Sequence, residues 1–169
     1  SRKIPLSPFV LVDMTSSKDE ALSRDVYQAL SETPKKTLIF TTRKGFYTFV
    51  YCRDCHKPAL CPSCKAPLVL YSLKKSYFKC RKCGTEYDPH MQCQHCAGWN
   101  LKGYGIGTQR IYAEIQRKLP ERPCWILDET AVSSPTKRRA VLQAFSNSSD
   151  GILVGTEMIM EEASLSADI

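Results

Sequence analysis

Eight of the nine cysteines form four Cys-x-x-Cys pairs: Cys52/Cys55, Cys61/Cys64, Cys80/Cys83 and Cys93/Cys96. Two thiolates separated by two residues can grip one metal ion from a tight turn, and two such turns complete a tetrahedron. Eight sulfurs therefore predict two zinc ions, each held by four cysteines. Disulfides in an exported chain fit poorly, because the start Ser1-Arg2-Lys3-Ile4-Pro5 lacks the apolar run of a secretory signal and the cysteine count is odd. A redox dithiol would explain one pair, and iron–sulfur clusters usually show less regular spacing. The 15-residue gap between the second and third pairs matches a zinc ribbon. Leu68-Val69-Leu70-Tyr71 and Tyr77-Phe78-Lys79 between them read as a hairpin. This favours Cys61, Cys64, Cys80 and Cys83 on one ion and Cys52, Cys55, Cys93 and Cys96 on the other, a nested arrangement preferred to a cross-braced one. Each site can contribute about 10–16 kcal/mol of apparent binding energy, which a segment with few bulky apolar residues needs. Cys124, before Trp125-Ile126-Leu127, reads as a buried structural thiol.

Charge adds a second clue. Residues 43–120 hold 14 Lys/Arg against 4 Asp/Glu, a local excess of +10, within a chain of net charge +7. Eight thiolates (−8) and two Zn²⁺ (+4) reduce that excess to +6, so the middle region still suits a polyanion. Tyr71, Tyr77, Phe78, Tyr87 and Trp99 lie in this region; stacking on bases is one use for them, and packing a small zinc core is the more common one.

Around the cysteines, strand and helix patterns alternate. Phe9-Val10-Leu11-Val12, Thr37-Leu38-Ile39-Phe40-Thr41, Cys124–Leu127 and Ile152-Leu153-Val154 read as four strands. Ser17-Lys18-Asp19-Glu20 has capping-box form ahead of Leu22, Val26, Ala29 and Leu30 at helical spacing. Gly107-Thr108 opens a helix marked by Ile111, Ile115 and Leu119. Ser134-Pro135 opens another, with Ala140, Val141, Ala144 and Phe145 as its stripe, and Thr156 to Glu162 begins a fourth. These units predict an α/β fold with a parallel sheet, interrupted by an inserted metal module of about 50 residues. The expected division is 1–51, first part of the lobe; 52–98, zinc insertion; and 99–169, the rest of a lobe expected to be cut short. The chain of 169 residues, 43% hydrophobic, has no apolar run long enough for a membrane span, so a cytoplasmic protein is expected.

Ligands of open α/β sheets gather at the carboxyl ends of the strands. Three polar clusters fall there: Thr41-Thr42-Arg43-Lys44-Gly45, Asp128-Glu129-Thr130 and Gly155-Thr156-Glu157. Hydroxyls, helix-start N–H groups and paired cations suit phosphate oxygens. Cys124 to Glu129 also has the form of a Walker B strand, but no Gly-x-x-x-x-Gly-Lys-Ser/Thr phosphate loop occurs in the chain.

Leu38 to Phe46, running into four Cys-x-x-Cys pairs at gaps of 5, 15 and 9 residues, resembles the second helicase lobe of the PriA family of bacterial primosomal helicases. Gly105-Ile106-Gly107-Thr108-Gln109 is similar to that family's return to the lobe, and Ile152 to Ile159 resembles its motif V. The resemblance implies a RecA-like parallel-sheet lobe, here incomplete, with an inserted two-zinc ribbon-like module. It implies a superfamily 2 ATP-dependent DNA helicase acting 3′→5′ in replication restart. Implied partners are forked or single-stranded DNA, primosome proteins and single-strand-binding protein. Arg43 and Lys44 would sit in motif IV, and Thr156 and Glu157 in motif V, near the DNA. ATP and Mg²⁺ would be bound only with a first lobe that this sequence does not contain, so no catalytic residue and no ATPase activity are expected of the chain alone. Glu161-Glu162 replace the Lys-Gly usual after motif V. The rival expectation is a non-catalytic zinc adapter binding protein or nucleic-acid partners.

Overall fold

The computed structural model describes residues 11–12, 14, 20–32, 34–72, 75–129 and 131–159. In chain order its elements are α1 (Arg24–Glu32), β1 (Thr37–Phe40), β2 (Phe49–Cys52), β3 (Leu68–Tyr71), β4 (Tyr77–Cys80), β5 (Glu86–Tyr87), β6 (Leu101–Tyr104), α2 (Thr108–Lys118), β7 (Cys124–Leu127), α3 (Pro135–Asn147) and β8 (Ile152–Gly155).

The parallel layer has the order β1-β8-β7, with Thr37 opposite Ile152 and Cys124 opposite Ile152 on the other side. The last strand among the described residues is thus the central one, and every residue of β8 is buried. Parallel strands covered on both faces read as continuous apolar runs, which is what Ile152-Leu153-Val154 supplies. On one face, Ile152 and Val154 pack with Tyr27 and Leu30 of α1 and Ile111 and Ile115 of α2. On the other, Leu127 and Leu153 meet Val132, Met158 and Ile159, with Val141, Leu142 and Phe145 of α3 alongside.

Local chemistry explains the boundaries. Ser134 caps α3, its hydroxyl accepting the Lys137 N–H at 3.3 Å, with Pro135 at the first helical position. Gly107 precedes α2 without a side-chain cap. Arg122 ties the C-terminal end of α1 to the loop before β8, donating to the Leu30 carbonyl at 2.7 Å and the Asp150 carbonyl at 3.0 Å.

Several expectations are corrected. Leu11 and Val12 belong to no strand and Leu11 is fully open to solvent; Phe9 and Val10 lie outside the described residues. The cap of α1 is Ser23, whose Oγ accepts the Val26 N–H at 3.2 Å; Ser17 to Asp19 lie outside the described residues. Tyr27, not Ala29, carries the buried face of α1, because a helix starting at Arg24 turns Ala29 outward. Ala140 is exposed and Leu142 takes its place, since α3 lies across the sheet with only a half-buried face. A helix does begin at Met158; its continuation lies outside the described residues.

Between β1 and α2 the chain leaves the sheet. β2 and β6 pair antiparallel as a two-stranded ribbon, and β3-β4-β5 form a small antiparallel sheet beyond it. The expected hairpin is present, with Leu68 opposite Cys80 and Tyr71 opposite Tyr77.

Candidate metal centres and the sheet rim

The four Cys-x-x-Cys segments fold alike. In each, the first cysteine's N–H donates to the carbonyl five residues on: Cys52 to Lys57, Cys61 to Ala66, Cys80 to Thr85 and Cys93 to Gly98, at 2.8–2.9 Å. The residue after each second cysteine takes a left-handed conformation: His56 (φ 56°), Lys65 (61°), Gly84 (76°) and Ala97 (57°). Three of the four bear a side chain, at a cost of about 1–2 kcal/mol each. A turn repeated four times against that cost turns the sulfurs inward together.

They converge as two groups: Cys52, Cys55, Cys93 and Cys96, and Cys61, Cys64, Cys80 and Cys83, with all sulfurs of a group within 4.8 Å of one another. Measured pairs are Cys52–Cys96 and Cys55–Cys93 at 3.7 Å, Cys61–Cys83 at 3.6 Å and Cys64–Cys80 at 3.3 Å. A tetrahedral ion about 2.3 Å from each sulfur requires separations of about 3.8 Å. A disulfide requires about 2.05 Å. The donor set therefore fits a metal ion and not a cross-link, and the pairing is nested. Backbone N–H groups of Lys82 and His95 point at Cys80 and Cys93 Sγ, both at 3.4 Å, stabilising thiolate charge.

Sequence reasoning offers Tyr87 for stacking or core packing and misses its polar contact with a cysteine. The Tyr87 hydroxyl lies 3.0 Å from Cys61 Sγ and 3.0 Å from Ser63 Oγ, joining the third strand of the small sheet to a sulfur. The three residues between Cys83 and Tyr87 are the signal that could have found it, since β5 must return beside β4. Of the other aromatics, Tyr71 and Phe78 are buried, Tyr77 stacks on Tyr71 at 5.4 Å, and Trp99 is 68% exposed. Cys124 joins neither group; burial pushes its thiol up to about 12.

At the carboxyl rim of the parallel layer the three polar clusters do meet. Lys44 Nζ lies 3.0 Å from Glu129 and 3.6 Å from Glu157, bridging the loops after β1, β7 and β8. The Lys44 hydrogen bond holds the Glu129 carboxyl below the usual carboxylate range, and Glu129 in turn raises Lys44. Behind this pair, the Thr108 hydroxyl donates to Asp128 at 2.5 Å, and the Ala131 N–H donates to the same carboxylate at 2.8 Å. Asp128 is fully buried. Gly107 permits the close approach of α2 to the loop: a Cβ there would stand 2.1 Å from the Gly45 carbonyl oxygen. Arg43 is exposed and its carbonyl accepts the Thr108 N–H at 3.1 Å. Thr156 is fully buried, and its hydroxyl has no hydrogen-bond partner among the described residues. Thr130 lies outside the described residues.

A cleft of about 840 Å³ runs from this rim to the metal module, lined by Lys44, Lys79, Arg81, Lys82 and Arg138 against Glu86 and Glu129. Among the described residues, no helix is long and apolar enough to cross a membrane.

Fold and site together define a metal-binding α/β protein: a parallel strand layer interrupted by a module with two four-cysteine groups. No protein-family profile matches the chain. Its curated relatives include replication restart proteins PriA. That of Bacillus subtilis is 31% identical over 156 residues, 88% of this chain and 19% of the relative. That of Thermotoga maritima is 33% identical over 134 residues (79% and 18%), and that of Synechocystis 29% over 166 residues (92% and 20%). The resemblance drawn from the motifs is borne out: the chain is related to PriA through one segment of it, spanning about a fifth of the length of these relatives.

Proposed function

We propose that the chain is the zinc-bearing second motor lobe of a PriA-like, ATP-dependent 3′→5′ DNA helicase that acts in replication restart. The observation that carries this is the similarity to PriA over most of the chain, cysteine groups included. The four-cysteine donor sets suit zinc, a structural ion that cross-links the module. On this reading residues 1–51 and 99–169 form a RecA-like lobe and 52–98 its insertion. A first lobe outside this sequence supplies the phosphate loop, ATP and Mg²⁺, so this chain alone does not turn over ATP.

DNA is the substrate, forked or single-stranded, and primosome proteins and single-strand-binding protein are the partners, as in the helicase family the motifs resemble. The DNA-facing rim comprises Arg43, Lys44 and Glu157, with Thr156 buried beneath it rather than facing the strand. Arg43 is its exposed cation, while Lys44 anchors the loops and shares its charge with two acids. That local balance, one Lys44 against Glu129 and Glu157, favours a second reading in which the rim is structural and the module is a zinc adapter.

Fluorescence anisotropy with labelled single-stranded DNA across a salt series separates the two. The helicase-lobe reading predicts affinity that falls steeply with salt and a shallower slope for Arg43→Ala with Lys44→Ala. Salt-insensitive binding, or none, supports the adapter.

A further inference from the structure

The ribbon formed by β2 and β6 is the neck through which the chain enters and leaves the metal module. Its inner face is closed, with Val50 and Cys52 at 1% and 0% exposure. Its outer face is aromatic and open. Phe49 stands opposite Tyr104 and Tyr51 opposite Lys102, so alternation puts all four on one side. Phe49 is 44% exposed and Tyr104 38%.

A single exposed aromatic needs no explanation, but these three form a built surface. Phe49 stacks on Tyr104 at 5.9 Å with ring planes 27° apart, and Tyr51 meets Tyr104 at 4.5 Å. The two phenol oxygens are 2.8 Å apart, which fixes both rings. The Arg53 guanidinium follows β2 and lies close enough to both phenols that they favour its charged form. Neither strand contains an acid, and Lys102, opposite Tyr51, is exposed beside the rings. Planar apolar faces with their orientation fixed, flanked by cations on strands without an acid, match a ligand with planar apolar rings on an anionic backbone. Duplex DNA keeps its bases stacked inside; a single strand offers them.

We propose that the outer face of the β2–β6 ribbon is a base-stacking platform for single-stranded nucleic acid, with the open face of Phe49 as its principal contact and Arg53 and Lys102 meeting phosphates. This rests on the nucleic-acid reading above and adds a site apart from the sheet rim. Bound there, a strand would bridge the parallel layer and the metal module at their junction.

The test compares the metal-loaded chain and Phe49→Ala for anisotropy binding to labelled oligothymidylate and to an abasic oligomer of the same length. The Phe49 side chain points outward, so metal content should be equal in both proteins. Loss of one stacked base predicts a weakening on the order of 5- to 100-fold for oligothymidylate, recovered in Phe49→Trp. The abasic oligomer should bind weakly and equally to both proteins. Oligothymidylate binding unchanged by Phe49→Ala overturns the platform and leaves the rim reading standing. Equal losses on both oligomers, or full competition by a polyglutamate peptide, overturn base stacking in favour of an acidic protein partner. No DNA binding by either protein overturns both readings.

Discussion

Two threonines at the sheet rim should respond oppositely to the same substitution. Thr108 and Thr156 are both fully buried. The Thr108 hydroxyl donates to Asp128 at 2.5 Å, whereas the Thr156 hydroxyl has no partner among the described residues. Valine has the shape of threonine with a methyl in place of the hydroxyl. At Thr156 the change removes a desolvated polar group that returns nothing, a gain of about 1–2 kcal/mol. For a chain of this size that raises Tm by roughly 2–8 °C. At Thr108 it breaks a hydrogen bond to a buried carboxylate and leaves Asp128 one donor short, a loss of about 1.5–3 kcal/mol. The assay is calorimetric or urea unfolding of the metal-saturated chain and both variants, in buffer free of phosphate and nucleic acid. If Thr156→Val loses stability comparable to Thr108→Val, the Thr156 hydroxyl is bonded and this account of the rim is wrong.

Two further outcomes follow from the same geometry. The Glu129 carboxyl is held low by Lys44, so in the native chain it stays ionised to a lower pH than an ordinary glutamate; stability from the bridge is present above the unfolded value and lost as pH falls through the folded one. NMR titration of Lys44→Met should return Glu129 toward the ordinary range, and an unchanged titration would remove Lys44 as the cause. After chelation, pulsed alkylation read by mass spectrometry should modify eight cysteines quickly and Cys124 slowly, because burial holds its thiol at about 12. Fast modification of Cys124 would contradict its packing beside Ile152 and Val154.

The cysteine spacing carried most of what was legible. Ligand groups are local pairs joined by a hairpin, so nested pairing follows once Leu68–Tyr71 and Tyr77–Lys79 read as strands. The strands at Thr37, Cys124 and Ile152 were readable for a similar reason: short apolar runs bounded by turn residues. Their order was not, since nothing in the local pattern says that β8 inserts between β1 and β7. The Lys44 bridge and the Asp128–Thr108 bond join residues 85 and 20 positions apart and exist only after the sheet closes. The left-handed residues His56, Lys65 and Ala97 are invisible in the sequence because glycine, the usual marker, occupies only one of the four equivalent positions, Gly84.

Two metal ions, one in each four-cysteine group, are expected to close the module. Native mass spectrometry of the intact chain, paired with elemental analysis, should find two zinc ions per chain and eight thiols that become reactive only on chelation. A chain carrying one ion or none, or one whose paired cysteines are joined as disulfides, would contradict it.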